Sequence, residues 1–152
     1  YKTMKERLNY FKIAPDAAKG MLELEKYVSG SGLEKTLYEL VKTRASQING
    51  CAYCLDMHTK DARKAGETEQ RLYALSAWRE TPFYSERERA ALEWTEALTL
   101  ISENDVPDSL YDSVHKHFDE KELVVLTMAI VAINGWNRLA ISFRKVPGSY
   151  EP

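Results

Sequence analysis

Asn49-Gly50-Cys51-Ala52-Tyr53-Cys54-Leu55-Asp56-Met57-His58-Thr59-Lys60-Asp61-Ala62-Arg63-Lys64-Ala65-Gly66 opens on a turn signal and closes on a helix stop. Nothing between them interrupts a helix over about 51–65. The stretch holds both cysteines of the chain, three residues apart, with a histidine four residues further on. At about 100° per residue, Cys54 is offset from Cys51 by about 300° and His58 by about 340° beyond a full turn. All three side chains therefore share one stripe, with a dithiol at the helix start and an imidazole a turn further in.

The first turn of a helix presents unpaired N–H groups and the positive end of the helix dipole, which favours thiolate over thiol. Thiols of Cys-x-x-Cys pairs at such positions have depressed pKa values, and the thiolate is the nucleophile. The i,i+3 spacing also falls within the Cα separation that a disulfide needs. Two plainer readings compete. A free cysteine is often a small buried hydrophobe, and Cys51, Cys54 and His58 are three ligands of zinc-binding type. Structural zinc usually takes four, however, and His115 and His117 point to different faces of their own segment. Redox chemistry is the favoured expectation, with no metal and no bound cofactor.

The flanking segments extend the helical reading. Leu37, Leu40, Val41, Ala45 and Ile48 recur at helical spacing from Glu34 to Ile48. A segment from Pro15 to about Val28 precedes it and ends at Ser29-Gly30-Ser31-Gly32. Thr68 caps a short helix through Leu75 or Ala77, and Ser85-Glu86-Arg87-Glu88 is a capping box for a helix to about Ile101. Pro107 reads as a first-turn proline for a helix to about His117. Asp119 and Glu122 open a long apolar helix to about Arg144. No Val/Ile/Thr alternation suggests a strand. The expectation is one all-α domain of six or seven helices, with a core from about 15 to 145. Tyr1 to Ile13 form an N-terminal arm, irregular or docked on a neighbouring subunit. The length of 152 residues suits one domain, and a net charge of −2 gives no reason to expect nucleic acid or an anionic membrane as partner. Leu123 to Ile133, the longest apolar run, is too short to span a bilayer. Two cysteines this close are not a secreted disulfide framework, so a reducing cytoplasm is the expected setting.

If the helices before and after Asn49-Gly50 fold back antiparallel, positions summing to about 99 lie level. Glu39 then sits within a turn of His58, where its carboxylate can orient the imidazole. The competing reading is a solvated surface glutamate.

Glu39 followed by Cys51-x-x-Cys54-x-x-x-His58 resembles the alkylhydroperoxidase AhpD core of the carboxymuconolactone decarboxylase-like superfamily. Val41 to Gly50 before the cysteines, His58 to Arg63 after them, and Asn134-Gly135-Trp136-Asn137-Arg138-Leu139-Ala140 are similar to its smaller bacterial members. The resemblance spans about 15 to 145. It implies a thiol-dependent peroxidase or disulfide reductase in which Cys54 attacks the hydroperoxide, Cys51 resolves the sulfenic acid as a disulfide, and Glu39 and His58 relay protons. It further implies a dithiol reductant protein, lipoyl or thioredoxin-like, and a homotrimer or homohexamer. The apolar helix from Leu123 to Ile133, together with Trp78, Phe83 and Tyr84, adds surface suited to such an interface. The helix-start argument alone favours Cys51 as the more acidic thiol, whereas the resemblance gives the attack to Cys54. Tyr53 stands where the best-known member has a second histidine. Two other functions fit the same residues. One is a decarboxylase of the superfamily, whose members generally lack the Cys-x-x-Cys; the other is a redox-sensing oligomer without turnover.

Overall fold

Local signals place the helices in the computed structural model, which describes residues 3–152. Among those residues there are eight α-helices and no strand. They are α1 (Tyr10–Ile13), α2 (Pro15–Ser29), α3 (Lys35–Asn49), α4 (Ala52–Lys64), α5 (Glu69–Ala74), α6 (Glu86–Thr99), α7 (Asp108–His115) and α8 (Glu120–Phe143), with a 3-10 segment at Leu75–Glu80. The count exceeds the expected six or seven because of α1. Four residues are too few to show periodicity, and this turn exists because the Asn9 side chain accepts from the Lys12 amide at 3.2 Å. Both expected capping boxes form, at Ser85/Glu88 and Asp119/Glu122. Pro107 is one position earlier than expected, capping α7 from outside its first turn.

Helix α3 is the middle of the bundle, packing against α4, α6 and α8. Leu40 and Val41 on it are fully buried, and each such side chain contributes roughly 1.5–3 kcal/mol. Gly50 ends α3 in the left-handed region at φ 69°, and the Cys51 amide returns to the Ser46 carbonyl at 3.0 Å. A side chain at this φ is strained, so glycine makes the reversal that lays α4 back along α3.

Helix α8 is apolar on most faces because it packs against α2, α3, α4 and α6. At 24 residues the whole helix is long and apolar enough to cross a membrane, which the shorter run Leu123 to Ile133 is not, and the packing just described accounts for its apolar faces. Its polar word Asn134-Gly135-Trp136-Asn137 has a structural account. The Asn49 amide donates to both Asn134 (3.0 Å) and Asn137 (2.9 Å), and buried Asn137 donates to Ser46 (3.0 Å). These bonds pin α8 to the end of α3 just before the cysteines. A Cβ on Gly135 would stand 2.8 Å from the Met21 methyl group, so the missing side chain lets α2 approach α8.

Two expectations about surface are corrected. Trp78 and Tyr84 are buried against Leu40, Ala62, Leu72, Leu75 and Leu92, so they belong to the chain's own core. The described part of the arm, residues 3–13, folds onto its own chain. The Arg7 amide bonds the Phe143 carbonyl at 3.0 Å, and Phe11 stacks on Trp136 at 6.0 Å. Tyr1 and Lys2, assigned to that arm, lie outside the described residues.

Candidate functional site

Cys51 caps α4 from extended backbone, and Cys54 lies in the first turn. The two form a disulfide across a Cα separation of 5.3 Å, and the Cys51 sulfur also accepts from the Cys54 amide at 3.3 Å. The N-terminal amides of α4 therefore point at this pair, where they stabilise a thiolate when the disulfide is open. Both sulfurs are buried, but only Cys54 lines the neighbouring cavity.

Glu39 is buried on α3 and faces the α3–α4 seam. Its Oε2 lies 3.1 Å from Nδ1 of His58, also buried. An ionised carboxylate only accepts, so the imidazole carries a hydrogen on Nδ1 and a neutral ring keeps Nε2 free. The antiparallel register brought these residues together: 39 and 58 sum to 97, two from the level position. His58 lies one turn beyond Cys54 and lines the same cavity.

That cavity, about 200 Å³, is walled by aromatic and aliphatic side chains from the N-terminal arm, α2, α4 and α8. Tyr10 and Phe11 close one side and Trp136 another. Glu25 on its wall accepts from Tyr38, from Trp136 Nε1 at 3.0 Å and from Lys42 Nζ at 3.2 Å, so its charge is matched. Burial first, and then the bond to Glu25, push the Tyr38 phenol well above its ordinary value.

Three further groups escaped the sequence reading. Asp61 brings a carboxylate oxygen to within 4.8 Å of the Glu39 and His58 ligand atoms; its i,i+3 spacing from His58 was the available signal. Tyr150, on the C-terminal tail, donates to Asp61 at 2.7 Å, and its phenol is pushed up to about 12 by burial, then by Asp61. Lys145 lies over the ring of Tyr53 at 4.4 Å. Nothing local signals the last two, because the tail returns to α4 from the far end of the chain. Glu39, His58 and Asp61 have the spacing of metal ligands, yet each already has a protein partner, His58 with Glu39 and Asp61 with Tyr150.

The fold and the site define an all-α protein with a disulfide at a helix start and a buried Glu–His pair beside it. Residues 15–97 match the carboxymuconolactone decarboxylase family. The uncharacterized protein YdfG of Bacillus subtilis is 52% identical over 139 residues, covering 91% of this chain and 95% of its own. ATU0492 of Agrobacterium tumefaciens, a protein of unknown function proposed to be an antioxidant defence protein AhpD, has a crystal structure that superposes with a TM-score of 0.92. It is 47% identical, covering 96% of this chain and all of its own. Alkyl hydroperoxide reductase AhpD of Hyphomonas neptunium is 40% identical over 47 residues, 31% of this chain and 26% of its own. The chain belongs to the carboxymuconolactone decarboxylase family, with the AhpD-like fold of that superfamily.

Proposed function

We propose that this protein is a thiol-dependent peroxidase that reduces hydroperoxides with Cys54 and Cys51. The observation that carries the reading is that Cys54 and His58 share the wall of one cavity while buried Glu39 holds the imidazole at 3.1 Å. In the reduced enzyme His58 takes the Cys54 proton, and the thiolate attacks the distal peroxide oxygen. The O–O bond breaks, Cys54 becomes a sulfenic acid, and the alcohol leaves with a proton returned by the imidazole. The Cys51 thiol then displaces that hydroxyl as water and closes the disulfide. A protein dithiol, lipoyl or thioredoxin-like, reopens it by exchange and is itself oxidised. Hydroperoxide and dithiol thus give alcohol, water and the reductant's disulfide. Decarboxylation requires no such sulfur pair, which is why the redox reading is preferred to the family's name.

Steady-state peroxide reduction with dithiothreitol, dihydrolipoamide and thioredoxin tests the reading. Turnover that saturates in both substrates is expected; a reduced enzyme that leaves peroxide untouched overturns it. A reducing cytoplasm is the proposed setting.

The proposed assembly is a homotrimer or a trimer of dimers. Its support is that Val124 and Val131, seven residues apart on one side of α8, remain about half exposed. Analytical ultracentrifugation should give a mass of three or six chains. A single species at 17.4 kDa would sink the assembly.

A further inference from the structure

Among the described residues, Lys145 is the one lysine or arginine on the cavity wall without a carboxylate partner. Lys42 is paired with Glu25 at 3.2 Å. Lys145 has no carboxylate within 4.0 Å among the described residues. Its ammonium is framed instead by three rings, Tyr53 at 4.4 Å, Phe11 at 5.0 Å and Tyr10 at 5.7 Å. Ring faces hold a cation in place without using its N–H groups, so these donors stay free for an anion.

The backbone reinforces this placement. Arg144 is the one non-glycine residue with positive φ among the described residues, at φ 54° and ψ 57°. It ends α8 in a left-handed turn, and the Lys145 amide returns to the Ala140 carbonyl at 2.9 Å. That reversal brings Lys145 over Tyr53, which lies between the two cysteines and next to Cys54. A left-handed non-glycine residue is an uncommon conformation, and such residues cluster at ligand sites.

We infer that the cavity beside Cys54 binds a small apolar organic molecule bearing a carboxylate, the carboxylate bonding to Lys145 while the body lies among Tyr10, Phe11, Tyr53 and Trp136. A volume of about 200 Å³ lies below the roughly 300–1,000 Å³ of drug-sized pockets. It suits a compact ring or short chain and is much larger than hydrogen peroxide needs. The inference deepens the peroxidase reading and rests on it for the reacting group. The substrate is then a carboxylated hydroperoxide, its O–O bond at Cys54 and its anion at Lys145. A charge-assisted bond in a partly desolvated cavity discriminates strongly against a neutral analogue.

The test uses the full-length protein and two hydroperoxides with one body, cumene hydroperoxide and its ring-carboxylated analogue, with dithiothreitol in excess. The carboxylated substrate should have a kcat/KM about ten- to a hundredfold higher in wild type. Lys145→Met should erase that preference, lowering kcat/KM for the carboxylated substrate about ten- to a hundredfold more than for cumene hydroperoxide, and Lys145→Arg should retain it. Independently of turnover, 4-isopropylbenzoate should slow alkylation of Cys54 in the reduced wild type and not in Lys145→Met. Equal turnover of both hydroperoxides, with no protection by the benzoate, overturns the inference and leaves the peroxidase reading standing. Protection through Lys145 without any peroxide turnover upholds the anion pocket and overturns the peroxidase. Neither protection nor turnover overturns both.

Discussion

Two groups of paired polar side chains in this molecule, one partly buried and one buried, behave differently. Beside α5, Arg71 bonds Glu67 at 2.8 Å, Glu88 at 2.5 Å and the Phe83 carbonyl at 2.6 Å, while its guanidinium faces the Tyr84 ring at 5.0 Å. Nearly every donor of the fork has an acceptor. Burial alone disfavours the charged guanidinium, but the bonds to Glu88 and Glu67 outweigh it and hold Arg71 above its ordinary pKa. In the α3–α4 seam, Glu39 and His58 share one hydrogen bond, and the imidazole lines the same cavity as Cys54 with its second nitrogen left over. The first group is saturated and holds α5 to α6. The second is left with capacity to move a proton. Both groups pair polar side chains away from bulk water, so the spare imidazole nitrogen in a cavity shared with Cys54 is what sets the second apart.

Removing the sulfur gives the largest expected effect. Cys54→Ser should bring peroxide turnover to the detection limit with little change in thermal unfolding. Cys51→Ser should still consume one equivalent of peroxide per chain and then stop. Single-turnover stopped-flow measurements separate the two variants, and the reverse pattern would assign the attack to Cys51.

Next in size is the proposed proton relay. Glu39→Gln preserves shape while removing the charge that orients His58, so turnover should fall by about 10²–10⁴-fold. Wild-type rates in that variant would dissolve the distinction between the two charge groups.

The saturated group should respond in the opposite sense. Arg71→Ala leaves Glu67 buried without its partner and should cost about 1.5–3 kcal/mol in urea unfolding, with peroxide turnover unchanged. A loss of turnover in the folded variant would show that the two groups are coupled.

The smallest effect concerns Tyr150. Its folded phenol, pushed up to about 12 by burial and by Asp61, holds its proton more tightly than an unfolded tyrosine at about 10. The stabilisation is therefore whole below pH 10 and is lost as the pH rises through 12. Melting curves between pH 9 and 12 should fall more steeply for wild type than for Tyr150→Phe. Parallel curves would show that the tail's bond to Asp61 adds nothing to stability.

The helices, the spacing of the dithiol and the phase of His58 were legible in the chain itself. Each rests on contacts between residues three to five apart: the Ser85 and Asp119 boxes, the left-handed Gly50, and the shared stripe of Cys51, Cys54 and His58. Such geometry is set by the backbone whatever else the chain does. The register of Glu39 against His58 was legible to within two residues, since a tight turn leaves an antiparallel pair little freedom. Its burial was not, because an amphipathic stripe does not say which of its polar edges another element covers.

Only the tertiary structure decided what surrounds the sulfur. Tyr10 and Phe11 arrive from an arm without periodicity, and Trp136 donates to Glu25 across 111 positions. Arg7 reaches the Ser142 carbonyl across 135 positions, and Tyr150 reaches Asp61 across 89. Contacts at such separations depend on how whole helices pack, a sum over many side chains that no local pattern encodes. The chemistry of the dithiol was therefore local, and the choice of what may approach it belongs to the fold.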